Sequence, residues 1–281
     1  MSTALTNQRR ELEDVKTIRF ITSALFDLSA EKINRLRTAF EKNKSFYDDI
    51  AYLYHSIKLT ASGRGELPEK TGKVVRIVSV AFTSNMRFYG AVNSEVIRTF
   101  VEHMRSGATS DYMVIGKVGR TLMGNYPDLE KLPLYYSFEN DEPTREEIAQ
   151  FLKNVVPYTQ VLAFYPSFVN VFAQKVAAQD ITYASQGEPM TKNMEIDYIF
   201  EPELSKILEF FETRVRYLLF QRVMLESELA RTASRLFSMN RAQDRADEEI
   251  VVLRRAIRQS IETFNDLRLL ESFSMISKWK K

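Results

Sequence analysis

The segment from Arg76 to Ile97 has the pattern that most suggests a site for chemistry. It begins with a β-branched, apolar run (RIVSVAF), continues as a loop with one glycine (TSNMRFYG), and ends in a helical apolar spacing. A strand, a glycine loop and a helix often hold a phosphate group, because the free N–H groups at the start of the helix bind anions. The segment is therefore a candidate nucleotide site.

The glycine spacing does not match the two common phosphate-binding motifs. A Walker loop has the pattern GxxxxGK[ST], and a dinucleotide loop has the pattern GxGxxG. The first loop contains only Gly90, and a second candidate, IGKVGRT from Ile115 to Thr121, has the wrong spacing. The pattern instead predicts a tight strand-to-helix connection, in which Gly90 supplies the backbone conformation and Asn93 caps the helix.

Other residue types give little support for catalysis or metal binding. The chain has no cysteine, which excludes disulfides and thiolate metal sites, and only two histidines, His55 and His103, which argues against zinc. Acidic clusters such as Asp48 with Asp49 lie on helical stretches beside basic residues, as solvated helix faces do. No serine or cysteine triad is recognisable. We expect no catalytic residue, no cofactor and no metal.

Composition also limits the partners that the chain can bind. The formal net charge is +2, with 39 basic and 37 acidic residues. A nucleic-acid-binding protein would show a basic excess, so we expect no nucleic-acid partner. No apolar run approaches the roughly 20 residues needed to cross a bilayer, and no signal-peptide pattern opens the chain. We therefore expect a soluble, cytoplasmic protein.

Glycine and proline are confined to the middle of the chain. The glycines lie between Gly63 and Gly187, and the prolines lie between Pro68 and Pro202. Because both residues break helices, the two ends can form very long ones. Apolar residues at both ends recur every three or four positions, which predicts two amphipathic helices that pair with each other. Examples are Ile18, Ile21, Leu25 and Leu28 near the start, and Leu225, Leu229, Ile250, Leu253, Phe264 and Leu267 near the end.

The length of the C-terminal helix affects the expected architecture. A helix of about 75 residues is about 110 Å long, whereas a compact globule of this chain length is only about 50 Å across. Either the helix breaks without a glycine or proline, as in a helical bundle with a kinked tail, or it projects from a globular body. We favour the unbroken helix.

The middle of the chain alternates between predicted strands and helices. One helix should run from Asn93 to about Arg105, and a capping box of Thr144 and Glu147 should open another that reaches about Val155. The predicted fold is α/β: a long antiparallel coiled coil of N- and C-terminal helices with an inserted α/β (Rossmann-like) body. The domains are residues 1–62, 63–200 and 201–281. The predicted strands are Val74–Phe82, Tyr112–Ile115, Leu132–Phe138, Gln160–Tyr165 and Phe168–Ala173.

Several short motifs occur in the same order along the chain as in one known family. Ile21, Thr22 and Ala24, with Lys32, are similar to the pattern ITKAMxxVAASKMR, and the segment Thr83 to Asn93 is similar to TSDRGLCGGxN. In this order the chain resembles the γ subunit of F-type ATP synthases over nearly its whole length. Each motif is weak alone, and their collinearity carries the resemblance. Further matches are Ile115-Gly116 with Gly119 (IGxKG); Phe168, Asn170 and Gln174 (FxNxxxQ); Phe200-Glu201-Pro202 (YEP); and Glu226, Ala233, Arg235, Leu236, Met239, Ala242 and Asp244 (ExxxSExAxRMxAMxxAxDN).

The resemblance implies a non-catalytic central-stalk rotor subunit that transmits torque. Its implied partners are the α and β subunits of a catalytic hexamer, an ε-type subunit and a ring of c subunits. The implied location is peripheral, on the cytoplasmic face of a bacterial plasma membrane. The implied structural motif residues are Ser84, Gly90 and Asn93, and the implied partner-interface residues are Ile21, Thr22, Leu25, Lys32, Arg235, Met239, Arg254, Arg255 and Arg258.

The chain also departs from the family pattern. Ala230-Arg231 replace a Ser-Glu pair, and Arg87 stands where glycine is usual. Ile261 and Glu262 occupy the positions of an Arg-Gln pair that contacts a β-subunit loop, and Arg258-Gln259 lie one turn earlier. The tip, Ser277 to Lys281, is charged where the family is small and apolar. These departures leave open a γ-like shaft of an F-like ATPase not coupled to a proton ring, or a non-rotary coiled-coil scaffold.

Overall fold

The computed structural model describes residues 3–63, 76–182 and 204–279. Two long helices form the ends: α1 spans Thr3–Gly63 and α5 spans Leu204–Trp279, with 61 and 76 residues. Both are continuous, which agrees with the absence of proline and glycine from their interiors. The prediction of two unbroken terminal helices is confirmed.

The chain divides into two compact units, and α1 and α5 contribute to both. The first unit consists of Met1–Ala30 and Leu236–Lys281. Within it, Arg19 Nε lies 2.5 Å from Asp247 Oδ1, and Ser260 Oγ donates a hydrogen bond of 3.0 Å to Gln8 Oε1. The residue numbers on one helix rise as those on the other fall, so the two helices are antiparallel.

The second unit, Glu31–Arg235, contains an antiparallel helix pair and an α/β body. Lys32 Nζ lies 2.5 Å from Glu228 Oε1, and Asn43 Nδ2 donates a hydrogen bond of 3.2 Å to Gln221 Oε1. Each unit therefore confirms the predicted antiparallel pairing of the terminal helices. The three-domain division of the sequence stays a prediction.

A five-stranded sheet forms the centre of the body. The strand order is β3-β2-β1-β4-β5, and all neighbours are parallel except β4 and β5. Strand–helix–strand connections explain the parallel pairs, as the alternation in the sequence predicts. The strands are β1 (Ile77–Phe82), β2 (Asp111–Ile115), β3 (Leu134–Tyr136), β4 (Gln160–Phe168) and β5 (Gln174–Asp180).

Three shorter helices connect the strands: α2 (Val92–Arg105), α3 (Lys117–Met123) and α4 (Arg145–Val155). The predicted capping box opens α4. Thr144 Oγ1 accepts a hydrogen bond from Glu147 N, and Glu147 Oε2 accepts one from Thr144 N. The α3 helix was not predicted, because its seven residues (KVGRTLM) contain a glycine and are too few to show an apolar period.

One predicted strand is wrong. Residues Phe168–Ala173 were expected to form a strand, but β4 already ends at Phe168. Asn170 then forms a turn, in which its Oδ1 accepts hydrogen bonds from Phe172 N and Ala173 N. The strand that follows, β5, is a polar edge strand (QKVAAQD), so it lacks the β-branched run that marks a buried strand.

Some predictions fall on residues outside the described ranges. These are Val74 and Val75 of the first predicted strand, the Phe200-Glu201-Pro202 motif, and the last two residues of the charged tip, Lys280 and Lys281.

The two faces of the sheet are covered by different helices. On one face α2 packs Ile97 and Phe100 against Tyr112 and Phe164. On the other face α4 and α5 build a larger core, in which the ring of Phe220 contacts three aromatic rings. Helix α5 therefore packs against the sheet as well as against α1, which its apolar period alone does not reveal. The residues of this core from α5 are Val215, Leu219, Phe220, Val223 and Met224.

We expect Phe220→Ala to lower the free energy of unfolding by about 3–5 kcal/mol, because it opens a cavity between Phe82, Phe138 and Phe151. Urea unfolding measures the change. Phe210→Ala is the matched control: Phe210 is on the same helix but exposed, so its effect should be small. Equal losses for the two variants would contradict this account of the core.

Candidate functional site

The loop between β1 and α2 is held at its start by Thr83. Thr83 Oγ1 donates a hydrogen bond to Ile115 O (2.6 Å) and accepts one from Gly119 N (3.0 Å). Gly116 has a φ of 102°, and a Cβ there would lie 2.7 Å from Thr83 O; a Cβ on Gly119 would lie 2.3 Å from Thr83 Oγ1. Both glycines therefore permit a close approach of two loops, and the phosphate-binding interpretation is not needed to explain them.

Asn93 does not cap α2, which corrects the sequence prediction. The helix begins at Val92 with Ala91 as its N-cap residue, so Asn93 is already in the first turn. Its buried side chain turns back to the loop: Oδ1 accepts from Ser84 N (3.3 Å) and Nδ2 donates to Ser84 Oγ (2.8 Å). The structure thus brings Ser84 and Asn93, two residues of the predicted structural motif, into direct contact.

Asp141 accepts hydrogen bonds from three donors of the β1–α2 loop. Its Oδ1 accepts a hydrogen bond of 2.5 Å from Asn85 N, and its Oδ2 accepts bonds from Met86 N (3.4 Å) and Tyr89 Oη (3.1 Å). Burial, together with the nearby carboxylates of Glu228 and Asp141, raises the pKa of the Tyr89 phenol, so it remains a donor. The protein's own carboxylate therefore binds the loop amide groups.

The other side of the loop is fixed to α5. Ser234 Oγ donates to Tyr89 O (2.9 Å), and Arg235 Nη2 donates to Arg87 O (3.0 Å). The Arg235 guanidinium carbon also lies 3.8 Å from the centre of the Tyr89 ring. These contacts hold Phe88 in a left-handed conformation (φ 69°), which costs a non-glycine residue about 1–3 kcal/mol. Gly90 adopts a similar φ of 61° without that cost, as predicted.

A charged network lies one turn before these contacts on α5. Arg231 Nη2 is 2.6 Å from Glu228 Oε2, and Lys32 Nζ is 2.5 Å from Glu228 Oε1 and 2.8 Å from Glu142 Oε1. The side chains of Arg231 and Glu228 are only 1% and 2% exposed. Lys32 and Arg235, which were predicted to contact a partner, thus bind within their own chain.

All three central groups of the network are ionised in the folded protein. Burial opposes the charge of Glu228, but the charges of Arg231 and Lys32 outweigh it and lower the pKa of the carboxyl group. Burial likewise opposes the charge of Arg231, but Glu228 outweighs it and raises the pKa of the guanidinium group. The pKa of Lys32 is raised for the same reason, by Glu228 and Glu142 against burial.

The predicted interface residues of the first unit differ in accessibility. Ile21 is 51% exposed and Leu25 is half-buried, so both have surface for a partner. Thr22 and Met239 are buried, and the Thr22 hydroxyl donates to Arg19 O. Ile21 was also expected to lie in the seam between the helices, and its exposure corrects that expectation.

Arg254, Arg255 and Arg258 are exposed on α5. Within the described ranges, no hydrogen bond or ion pair engages their side chains.

Further along the same helix, Phe264 and Leu267 were expected to face a partner helix but are 41% and 56% exposed. Gln8 of α1 pairs with Ser260 of α5, and these apolar residues follow Ser260 in the sequence. The other large apolar residues exposed there are Leu269, Leu270, Phe273 and Met275.

His103 forms the feature that most resembles a catalytic pair. Its Nε2 lies 2.9 Å from Ser79 Oγ, and burial lowers the pKa of the imidazole. Ser79 is completely buried in β1, however, so no substrate can reach its hydroxyl.

Elsewhere among the described residues, no group of three or more acidic or histidine side chains could hold a metal ion. None of the described helices combines the length and the apolar character needed to cross a membrane.

Comparison with known proteins identifies the family. A family model described as ATP synthase matches residues 4–260, most of the chain. The chain belongs to this family. An ATP synthase gamma chain of an Exiguobacterium species is 28% identical over 242 residues, which cover 82% of this chain and 83% of the relative. The ATP synthase gamma chain of Cytophaga hutchinsonii is 23% identical and covers 95% of this chain and 96% of the relative.

Solved structures of ATP synthases share the fold of this gamma-chain homologue. A chain from the central stalk and c-ring of the Tetrahymena thermophila mitochondrial ATP synthase has a TM-score of 0.54 at 21% identity, covering 79% of this chain and 99% of that one. A chain from the Euglena gracilis mitochondrial ATP synthase has a TM-score of 0.52 at 14% identity, covering 91% and 94%. At these identities the likeness concerns the fold.

We expect Gly119→Ala to lower the free energy of unfolding by about 1–3 kcal/mol, because the added Cβ would overlap Thr83 Oγ1. Gly124→Ala is the control. It has an ordinary helical φ, and the nearest atom to its new Cβ is Thr121 O at 3.2 Å. Urea unfolding should show a large loss only for Gly119→Ala. A gain in stability for that variant, as at an open helical glycine, would disprove the close approach.

The pKa of Glu228 predicts a specific pH dependence of stability. Because its folded pKa is below the ordinary value of 4.5, its stabilising effect is present above pH 4.5 and is lost as the pH falls through the folded pKa. Glu228→Gln should therefore lose about 3–5 kcal/mol at pH 7, and its difference from the parent protein should shrink in acid. Unfolding curves from pH 7 to pH 3 measure this, with the exposed Glu41→Gln as the control. A difference that stays constant down to pH 3 would refute the assignment.

Proposed function

We propose that the chain is the central-stalk rotor subunit of an F-type ATP synthase or ATPase, and that it transmits torque between a catalytic αβ hexamer and a membrane ring. The observation that carries the proposal is the pair of unbroken antiparallel terminal helices in a chain that belongs to the ATP synthase family. A shaft needs this continuity, because a break in either helix would absorb twist instead of passing it on.

The surface of the first unit supports contact with the hexamer. Its helices expose large apolar side chains, among them Phe20, Leu267 and Phe273, that a free-standing monomer would normally bury. A pair of helices is also asymmetric in cross-section, so each orientation presses differently on the surrounding subunits. Unequal contacts of this kind shift the populations of their open and closed states.

The body supports contact with an ε-type subunit and the c-subunit ring. Its edge strand β3 is short and has no strand on its outer side among the described residues. The side chains around it, Leu132, Leu134 and Tyr135, are large, apolar and exposed. An open strand edge with an apolar surface is a common docking site for another chain.

The proposed role is non-catalytic and peripheral to a membrane. The amides of Asn85 and Met86 in the β1–α2 loop are bound by the chain's own Asp141, which supports a structural role of this loop. With a bacterial ring as its partner, the subunit would lie on the cytoplasmic face of the plasma membrane.

Purification of the tagged chain from its native cells tests the proposal and separates the alternatives. Recovery of α and β subunits together with c subunits supports a proton-coupled rotor. Recovery of α and β without c subunits would indicate an F-like ATPase without a proton ring. Recovery of neither would contradict the rotor function and favour a coiled-coil scaffold.

The exposed arginines give a sharper prediction for the hexamer contact. In a reconstituted complex, changing Arg254, Arg255 and Arg258 together to alanine should lower the ATPase rate and the torque, because acidic loops of the β subunits lose their positive partners. Each lost charge pair at a partly exposed contact accounts for at most about 1 kcal/mol, so the three together should weaken the contact with the hexamer by up to roughly a hundredfold.

The matched control removes three positive charges from the body instead. Arg98, Arg105 and Arg145 are exposed on or beside α2 and α4. Their replacement by alanine should leave the ATPase rate and the torque unchanged. If the first triple variant also behaves as the parent protein, the arginines of α5 have no part in the contact.

A further inference from the structure

We propose that Lys32, Glu228 and Arg231, together with Glu142, form a joint that fixes the register of α1 against α5 and the body. The inference rests on the proposed rotor function and deepens it, because the joint would be required for the transmission of torque and not for folding.

Glu228 is the centre of the joint because its two oxygens serve different helices. Oε1 accepts from Lys32 Nζ on α1 at 2.5 Å, and Oε2 accepts from Arg231 Nη2 on α5 at 2.6 Å. Arg231 Nε also donates to Oε2 at 3.2 Å. A shift of α1 along α5 by one residue, or a rotation of either helix, would break the first of these contacts while the Glu228 carboxylate stays buried. The cost of that displacement therefore rises steeply.

The joint extends into the body through two adjacent acidic residues. Glu142 Oε1 lies 2.8 Å from Lys32 Nζ and 3.0 Å from Arg35 Nη2, both on α1. The preceding residue, Asp141, binds the amide groups of Asn85 and Met86 in the β1–α2 loop.

The same loop is bound on its far side by α5, through Ser234 and Arg235. These contacts connect α1 to residues 141–142, those residues to the β1–α2 loop, and the loop to α5, and Glu228 connects α5 back to α1. Because the contacts form a closed ring, they resist both sliding and rotation of the helices, whereas a single contact would still allow rotation about it.

The energetics of the joint argue against a role in stability alone. Arg231 and Glu228 are almost completely removed from solvent, and Arg231 Nη1 has no hydrogen-bond partner within the described residues. Replacing such a buried ion network with apolar residues of similar volume is often neutral or stabilising. What apolar side chains cannot reproduce is the direction of the Lys32–Glu228 contact between α1 and α5, because a charged hydrogen bond requires a defined geometry.

The place of the joint in the chain fits the transmission of torque. Lys32 and Arg231 lie close to the limits of the second unit, which begins at Glu31 and ends at Arg235. Helices α1 and α5 continue without a break past those residues. The network therefore lies close to the residues at which both helices leave the second unit, next to the loop contacts of Ser234 and Arg235.

The test replaces the three central charges by apolar residues of similar size: Lys32→Met, Glu228→Leu and Arg231→Leu in one chain. The thermal unfolding midpoint should be equal to that of the parent protein or higher, because no charge is left buried. In the reconstituted, rotating complex, the torque against a viscous load should fall roughly twofold or more at an ATPase rate close to that of the parent, because α1 slips along α5.

Two comparison variants complete the experiment. Glu228→Gln alone leaves two cations without their carboxylate, so it should lower the unfolding midpoint by roughly 10 °C. Arg37→Met with Glu41→Leu removes an ion pair from the exposed face of α1 and should change neither stability nor torque.

The outcomes distinguish this inference from the proposed function. If the parent chain does not assemble into a rotating complex, both are overturned. If the parent rotates and the triple variant matches its torque, only the joint is refuted. If the triple variant does not fold, the network serves folding, and the inference is likewise overturned.

Discussion

The attachment of the β1–α2 loop to α5 is the constraint on which the rest of the structure depends. The loop carbonyls of Arg87, Phe88 and Tyr89 all accept hydrogen bonds from Ser234 or Arg235 of α5. Through the loop, the central strand β1 is connected to the C-terminal helix, and through Asp141 and Glu142 it is connected to α1. The left-handed conformation of Phe88 is maintained because these contacts outweigh its cost. The body and the two helices of the second unit are therefore held as one piece.

The β1–α2 loop shows that one sequence pattern can serve either ligand binding or the internal packing of a protein. A strand, a glycine loop and a helix can hold a phosphate, but here the chain uses the arrangement to bind itself. The carboxylate of Asp141 accepts hydrogen bonds from the loop amides of Asn85 and Met86. The glycines at 116 and 119 make room for Thr83 and not for a nucleotide. The site is consequently structural: its hydrogen bonds hold the β1–α2 loop against β2, α3 and α5.

The helices are paired over part of their length and exposed over the remainder. In the first unit the two helices bury Leu5, Ile250 and Leu253, and in the second unit α1 buries Leu36. After Ser260, α5 has large apolar side chains that are exposed, among them Leu267, Leu270 and Phe273. An apolar helix surface is expensive to leave in water, so its presence supports a partner that covers it in the assembled complex. The chain belongs to the ATP synthase family, and ATP synthase gamma chains are among its relatives.

The sequence by itself determined the elements whose signals are local. The confinement of proline and glycine predicted α1 and α5, the capping box predicted the start of α4, and collinear motifs indicated the family. The sequence did not reveal β5, α3 or the true role of Asn93, because an edge strand is polar, a seven-residue helix has no period, and a side chain can turn back as readily as it can cap. It also could not pair Glu228 with Lys32, 196 positions away. Contacts of that kind depend on which surfaces meet after folding, and only the tertiary structure decides that.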